Sequence, residues 1–223
     1  MLQAESELMT EVLDDVFGWE LLQVGTWGPG EELLTGCRTR RHAVISTNRR
    51  TAGADISARL SQLPIANGAV DAVILPHTLE FETDPYAVVR EVDRVLAGEG
   101  HLIVLGFRPF SLWGFRSRAI SRGYPPGLKR MLGARRIADW LELLGYDVSV
   151  TRNYLFAPPW GNSAPVAGQP SALLRRGFLT PWPAGAYLIK ARKRVYSLTP
   201  IRPRMQRSPI GALAKPTTPR QSD

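Results

Sequence analysis

Cysteine and histidine are scarce in this sequence, and their scarcity excludes several kinds of site. The single cysteine, Cys37, cannot form an internal disulfide framework or a cysteine-based zinc site. The three histidines, His42, His77 and His101, lie too far apart in sequence to show metal-ligand spacing. We therefore predict no bound metal, and we interpret Cys37 as a small buried hydrophobic residue.

Long apolar runs are also missing. No stretch of about 18 consecutive apolar residues occurs, so no membrane-spanning helix is expected. The N-terminal segment, residues 1–15, is acidic and amphipathic, a pattern that signal peptides do not have. These two absences favour a cytoplasmic location.

Lysine is absent from the first 100 residues, which contain 8 Arg and 16 acidic residues. The rest of the chain reverses this balance, with 20 Lys and Arg against 4 Asp and Glu, and the net charge of the whole chain is +8. A basic half attracts RNA, anionic lipid or an acidic substrate. The alternative is that much of this charge is only solvated, on a disordered basic tail at residues 197–223.

The apolar content of the chain, 44% of its residues, is sufficient for a buried core. Apolar positions spaced four apart predict a helix over residues 4–17. Short apolar strands then alternate with helical segments, which predicts an α/β fold: a mostly parallel, Rossmann-like sheet with helices on both faces. The predicted strands are residues 19–24, 43–46, 54–60, 72–75, 101–107, 148–151 and 186–194.

Start and stop signals mark the helices between these strands. Residues 31–34 are predicted to open a helix after the first strand. Asp84 and Pro85 predict an N-cap and a first helical residue, and Gly98 or Gly100 is predicted to stop that helix. A third helix is predicted from residue 134 to Gly145.

The first strand runs into a glycine-rich turn, LLQVGTWGPG, at residues 21–30. In a parallel sheet such a turn lies at the carboxyl edge of the strands, where ligands bind. Gly25, Gly28 and Gly30 suit a backbone that binds a nucleotide-like cofactor, while the alternative is that Gly25 only provides the positive φ of a tight turn. Trp27 stands within this turn, so its side chain must point away from a cofactor or fill the pocket.

Two segments interrupt the alternation of strands and helices. Residues 107–130 interleave aromatic residues with arginines, and residues 155–185 are rich in proline. Insertions of this kind on an α/β scaffold are typical of lids and substrate walls. The first segment either buries Phe110, Trp113 and Phe115 under a small-molecule cap, which we favour, or stacks RNA bases.

Motifs within residues 63–107 resemble those of class I S-adenosylmethionine (SAM)-dependent methyltransferases of the small type 11 kind. That family has a Leu-Pro pair, a Phe-Asp-x-Val strand, a His-x-Leu-Glu segment and a helix with Arg-Glu-x-x-Arg-Val-Leu. The corresponding residues here are Leu63-Pro64, Val70-Asp71-Ala72-Val73, His77-Thr78-Leu79-Glu80 and Arg90-Glu91-Val92-Asp93-Arg94-Val95-Leu96. The resemblance implies a methyltransferase-like domain over residues 1–196 that ends with an antiparallel strand.

The resemblance also implies SAM as the cofactor and assigns residues to its parts. The donor's amino-acid end would lie on Gly25, Thr26, Gly28 and Gly30, its ribose near Thr47, its adenine near Leu63 and its sulfonium side near Pro76. Several positions depart from the family pattern. Trp27 takes the place of the second glycine of the turn, and Arg59 takes the place of the acidic residue expected near the adenine. Gln23 replaces the acidic residue before the turn, and Ser46-Thr47-Asn48 replaces the acidic residue that holds the ribose hydroxyls. A hydroxyl or an amide can bind a diol, but without charge assistance.

His77 and Glu80 follow the fourth strand, where donor-contacting and catalytic groups lie in this fold. One of the two would act as a general base if the acceptor must lose a proton. The alternative is that His77 caps the turn and Glu80 pairs with an arginine, because ion-pair networks also occupy such places.

The first hypothesis is therefore a SAM-dependent methyltransferase with an unidentified acceptor, and the basic half of the chain favours an anionic one. The second is a methyltransferase-fold protein without catalysis that binds RNA or a protein partner through its basic C-terminal half. A nicotinamide-dependent oxidoreductase ranks last, because the turn lacks the Gly-x-Gly-x-x-Gly order. The oligomeric state is not predicted.

Overall fold

The computed structural model describes residues 2–28, 32–48, 51, 53–119, 125–155 and 184–195. The helices are α1 (Leu2–Leu13), α2 (Thr78–Phe81), α3 (Pro85–Val95), α4 (Leu112–Ala119) and α5 (Ala134–Leu143), with a 3₁₀ turn at Glu32–Leu34. The strands are β1 (Phe17–Val24), β2 (Arg38–Ser46), β3 (Ile56–Ser57), β4 (Val70–Pro76), β5 (Leu96–Phe107), β6 (Tyr146–Tyr154) and β7 (Ala186–Lys193).

The seven strands form one sheet in the order β3-β2-β1-β4-β5-β7-β6. The β1 strand is parallel to both β2 and β4, β2 is parallel to β3, and β4 is parallel to β5. The last strand, β7, runs antiparallel to its neighbours β5 and β6. The α/β prediction, with a mostly parallel sheet and an antiparallel last strand, is therefore confirmed.

Each face of the sheet buries its own apolar cluster, because side chains alternate between the faces along a strand. On one face, Leu22 and Val24 of β1 pack in the cluster that α3 and α5 cover. On the other face, Leu21 of β1 packs in the cluster that α1 covers with Met9 and Leu13. Helices on both faces are thus confirmed as well.

The α3 helix begins as its sequence predicts. The Asp84 side chain accepts a hydrogen bond from the Ala87 backbone N–H (3.1 Å), and Pro85 is the first helical residue. The predicted stop at Gly98 or Gly100 is wrong, because the helix ends at Val95 and the chain enters β5 at Leu96.

The connection between β1 and β2 is shorter than predicted. Residues 25–37 link the two parallel strands, and the described part of this link, residues 25–28 and 32–37, contains a 3₁₀ turn and no α-helix, whereas the sequence predicts a helix from residue 31. The predicted helix would begin at residue 31, but β2 already begins at Arg38, which is too short a distance for a helix of ordinary length. The β3 strand is likewise only two residues long, instead of spanning 54–60.

The helix that precedes β1 partly replaces the missing one, and the first half of β1 stays exposed. Phe17 and Trp19 point outward with 63% and 61% of their surface accessible. Arginine side chains of β2 cover their rings, with Arg38 at 5.6 Å from the Phe17 centroid and Arg40 at 4.7 Å from the Trp19 centroid.

The predicted lid at residues 107–130 contains α4. Trp113 is buried and stacks on Phe107, with ring centroids 6.1 Å apart. Phe110 and Phe115 are 79% and 63% exposed, so the expected burial under a cap holds for Trp113 alone. The predicted proline-rich insert lies outside the described residues except at positions 155, 184 and 185, and the tail at 197–223 lies outside them entirely.

Candidate functional site

The glycine turn lies at the carboxyl end of β1, as predicted. Gly25 is buried with a φ of +93°, and its N–H donates to the Ile45 carbonyl (2.8 Å). A Cβ atom at this position would overlap the Thr78 hydroxyl, which itself donates to the Val24 carbonyl (2.6 Å). Both the conformation and the close approach therefore require glycine at position 25.

The rest of the turn presents polar groups that have no partner among the described residues. The Gln23 side chain is buried, and its Nε2 donates to the Gly25 carbonyl (3.1 Å), while its Oε1 has no partner there. Thr26 is half-buried and Gly28 is exposed with a φ of +72°. No described residue accepts a hydrogen bond from the N–H of Thr26 or Gly28. Backbone N–H groups in such a turn suit a carboxylate, so this part of the chain fits the amino-acid end of SAM. Gly30 lies outside the described residues.

Trp27 points toward α1 and fills the space beneath the turn. Its indole Nε1 donates to Glu5 Oε2 (2.8 Å), and its ring lies 4.4 Å from the His77 ring and 5.9 Å from the Phe107 ring. The indole is thus held on the protein side of the turn, against the N-terminal helix.

A buried polar cluster lies at the ends of β4 and β5. The ring nitrogens of His77 face two carboxylates: Nε2 lies 3.1 Å from Glu5 Oε1, and Nδ1 lies 3.3 Å from Glu80 Oε2. The Tyr154 hydroxyl also donates to Glu5 Oε1 (3.1 Å), and the Phe107 N–H donates to Glu80 Oε1 (2.6 Å). All these polar side chains are buried.

Glu80 therefore binds His77 and the backbone of β5, and not the arginine that one interpretation of the sequence suggests. His77 does occupy the turn after β4, with a φ of +54°, but its side chain makes no capping hydrogen bond to α2. The imidazole instead stacks on the Phe107 ring, with centroids 4.1 Å apart.

Burial and charge act against each other on the pKa values in this cluster. Burial by itself lowers the pKa of His77, but the hydrogen bonds and the charges of Glu5 and Glu80 outweigh it and raise the pKa to about 9. Burial raises the pKa of Glu80, and its contact with His77 only partly offsets this. Burial also opposes ionisation of Glu5, yet its contacts with His77, Trp27 and Tyr154 leave its pKa lowered. At neutral pH His77 is consequently protonated and donates from both ring nitrogens.

Two of the other predicted donor-contacting residues, Thr47 and Pro76, lie at the same edge of the sheet, whereas Leu63 contacts the last turns of α3. Thr47 follows β2 and is exposed, whereas Pro76 ends β4 and is buried. The side chain of Leu63 belongs to the apolar cluster under α3. Cys37 is half-buried rather than fully buried, and its Sγ lies 3.9 Å from His42 Nδ1.

The Arg-Glu-x-x-Arg motif holds the loop that contains Leu63. Arg94 donates to the carbonyls of Leu63 (3.1 Å) and Ile65 (2.9 Å), and to both carboxylate oxygens of Glu91. Glu91 in turn accepts from the Leu63 N–H (2.6 Å). The planar guanidinium of Arg94 thus fixes the loop after β3 by several hydrogen bonds at once, which a lysine side chain cannot reproduce.

We predict that Arg94→Lys lowers the midpoint of thermal unfolding by a few degrees, because an ammonium group cannot bridge both carbonyls and Glu91 at once. Arg90 lies exposed on the same helix, so Arg90→Lys is the matched control and should leave the midpoint unchanged. Differential scanning calorimetry measures both. Equal midpoints for the two variants would show that the Arg94 guanidinium does not hold the loop.

Glu5 and Tyr154 are members of the cluster that were not predicted from the sequence. A signal for Glu5 is present, because Glu5, Met9 and Leu13 follow each other at four-residue spacing along the buried face of α1. A carboxylate on an apolar stripe requires a buried partner. No comparable signal marks Tyr154, which reaches the cluster only because of the place of β6 in the sheet.

Comparison with known proteins agrees with this geometry. Residues 22–104 match the family model described as a methyltransferase domain. The uncharacterized protein YafS of Escherichia coli is 34% identical over 134 residues, which are 60% of this chain and 55% of YafS. The chain thus spans little more than half the length of this curated relative. The family match confirms the resemblance to class I methyltransferases and supports SAM as the cofactor.

Solved structures show the same fold. A SAM-dependent methyltransferase of Thermotoga maritima, described as a possible histamine N-methyltransferase, superposes with a TM-score of 0.64 at 17% identity, over 86% of this chain and 89% of that one. The [4+2]-cyclase SpnF superposes with a TM-score of 0.58 at 21% identity, over 86% of this chain and 80% of that one. The fold therefore also carries reactions other than methyl transfer.

Proposed function

We propose that this chain is a SAM-dependent methyltransferase that acts on an unidentified acceptor. The observation that carries the proposal is the turn at residues 25–28, which lies inside the matched methyltransferase domain and has N–H groups without a described acceptor at the carboxyl edge of the sheet. Open α/β sheets bind their ligands at this edge. No helix in the described ranges is both long and apolar enough to cross a membrane. A cytoplasmic location stays part of the proposal.

In this proposal the turn holds the donor's amino-acid end. The N–H groups of Thr26 and Gly28 bind its carboxylate, and we assign Gly30 to the same function from the sequence alone. Gly25 keeps the turn tight against Thr78. Thr47 offers a hydroxyl to the ribose, Leu63 packs near the adenine, and Pro76 lines the sulfonium side. The bound donor supplies a methyl group that is already activated, so alignment by the protein provides much of the rate.

We assign His77 and Glu80 a positioning role. Both side chains are fully buried, and the raised pKa of His77 keeps it protonated at neutral pH, where it cannot accept a proton. Its two hydrogen bonds instead fix the Pro76–Thr78 backbone against α1. This arrangement holds Trp27 and the end of β4 in place beside the donor turn.

Donor binding separates this proposal from the alternative, a methyltransferase-fold protein without catalysis that binds RNA or a protein partner. We expect calorimetric titration to show micromolar binding of S-adenosylmethionine and S-adenosylhomocysteine. Thr26→Glu should weaken both by about tenfold or more, because it sets a carboxylate against the donor's own. Thr151→Glu, an equivalent change on an exposed position of β6, should bind as the parent chain does.

Substitution of Gly25 is unsuitable for this test, because any side chain there collides with Thr78 and disturbs the fold itself. Absence of binding to a folded chain at millimolar donor would reject the proposed donor site and favour the alternative. An unchanged affinity in Thr26→Glu would place the donor elsewhere.

A further inference from the structure

A long part of the chain next to the candidate site carries no negative charge. Residues 100–138 contain 8 Lys and Arg and no Asp or Glu. This segment leaves the carboxyl end of β5, and the backbone N–H groups of Lys129 and Arg130 donate to the Glu80 carbonyl (3.0 and 3.2 Å). Residues 129 and 130 of the acid-free segment therefore lie beside α2, which follows the carboxyl end of β4.

The α4 helix within this segment exposes an apolar face. Its buried residues, Trp113 and Gly114, face the protein. At 100° per residue the opposite face contains Leu112, Phe115 and Ala119. Phe115 and Ala119 are exposed. The arginines at positions 116 and 118 lie on either side of this face.

Phe110, just before the helix, enlarges the apolar surface. Its ring is 79% exposed, and the Arg118 guanidinium lies over one side of it, 5.8 Å from the centroid. Arg118 also donates to the Pro109 carbonyl (3.2 Å). The arginine thus lies along the ring, and the residue stays exposed to solvent.

The exposed phenyl rings stand on a well-fixed base. The Ser111 hydroxyl donates to the Arg108 carbonyl (2.7 Å) and accepts from the Gly114 N–H (3.2 Å). A side chain at Gly114 would overlap the Pro109 carbonyl, so the helix packs tightly on the preceding turn. Trp113 stacks on Phe107 at the end of β5. This packing therefore fixes the side chains of Phe110 and Phe115 in their exposed positions.

An anionic lipid bilayer has the chemistry that fits this surface. Exposed aromatic rings with Lys or Arg beside them suit the membrane interface, where the rings enter the acyl boundary and the cations meet lipid phosphates. Single-stranded RNA fits less well, because Arg118 already covers one side of the Phe110 ring, so that Phe115 alone among the exposed residues of this surface offers an uncovered ring for base stacking.

We propose that α4 and Phe110 form an interfacial anchor that docks the carboxyl edge of the sheet on an anionic membrane surface. The two phenyl rings insert, and Arg118 with the neighbouring cations binds lipid phosphate groups. This docking does not depend on methyl transfer, so its test is independent of the test of the proposed function.

The test is sedimentation of the full chain with vesicles of phosphatidylcholine alone or mixed with phosphatidylglycerol. We expect binding to the mixed vesicles that high salt weakens. The double variant Phe110→Ser/Phe115→Ser should lose about tenfold or more in affinity, and Arg118→Glu about fivefold or more. The matched controls are Phe17→Ser/Trp19→Ser and Arg40→Glu, which alter an equally exposed aromatic–arginine pair at the other end of β1. These should bind as the parent chain does, and circular dichroism confirms that every variant is folded.

Three outcomes would overturn the proposal. The first is no binding to the mixed vesicles, and the second is an equal loss in the control variants, which would show a general charge effect. The third is binding of polyuridylate that is lost in Phe110→Ser/Phe115→Ser, without vesicle binding, which would assign the same surface to RNA.

Discussion

Replacing His77 by alanine is expected to lower the free energy of unfolding by about 3–5 kcal/mol at neutral pH. The substitution leaves Glu5 and Glu80 buried without the cation that lies between them. It also opens a cavity beside Trp27 and Phe107, whose rings pack on the imidazole. Urea denaturation followed by fluorescence measures the change.

The exposed His42 is the matched control, and His42→Ala should change the free energy of unfolding very little. A third variant, Glu5→Gln/His77→Gln, removes one carboxylate together with the imidazole and should recover part of the loss. If His77→Ala costs under about 1 kcal/mol, the cluster is not a buried ion network.

The same cluster predicts how stability depends on pH. The pKa of His77 is about 9 in the folded chain, against an ordinary value of 6.5. A raised pKa contributes stability that is complete below the unfolded value and is lost as the pH rises through the folded value. We therefore expect about 3 kcal/mol of stability to disappear between about pH 6.5 and pH 9. The His77→Gln variant should lack this loss, and an equal slope in both chains would contradict the assignment.

The second large effect is expected at the donor turn. Gly25→Ala should cost about 3 kcal/mol, because an alanine at a φ of +93° is strained by about 1–2 kcal/mol and its Cβ also collides with the Thr78 hydroxyl. Gly145 provides a control with a similar φ of +85° and no heavy atom within 4 Å of the added Cβ. Gly145→Ala should therefore cost only the strain, about 1–2 kcal/mol. Equal costs would mean that Thr78 moves aside without penalty.

The parts of the fold that the sequence predicts best are those whose signals are local. The α3 helix carries its own cap at Asp84, its proline at the first position and its apolar stripe, so its start is predicted correctly. The short crossover after β1 is predicted poorly. Leu33 and Leu34 are residues that favour a helix. Because β2 begins at Arg38, however, no α-helix forms at these residues.

In the candidate site, too, the features with local signals are predictable and the long-range contacts are not. The position of Gly25 is predictable, because a glycine directly after a buried strand indicates a backbone of positive φ or a close approach. The partners of His77 are not predictable in this way, because Glu5 lies 72 residues before it and Tyr154 lies 77 residues after it. Such contacts follow from the order of strands in the sheet and from the position of α1, and no local pattern encodes them.

The polar cluster also bears on where the independently folding unit begins and ends. The family match covers residues 22–104, yet two of the groups that satisfy His77 lie on α1 and β6, outside the match on either side. A fragment cut at the match would retain a buried imidazole with one of its two carboxylates and would uncover the sheet face on which α1 packs. We therefore predict that the smallest autonomous domain extends from α1 to β7 and that shorter pieces aggregate rather than fold.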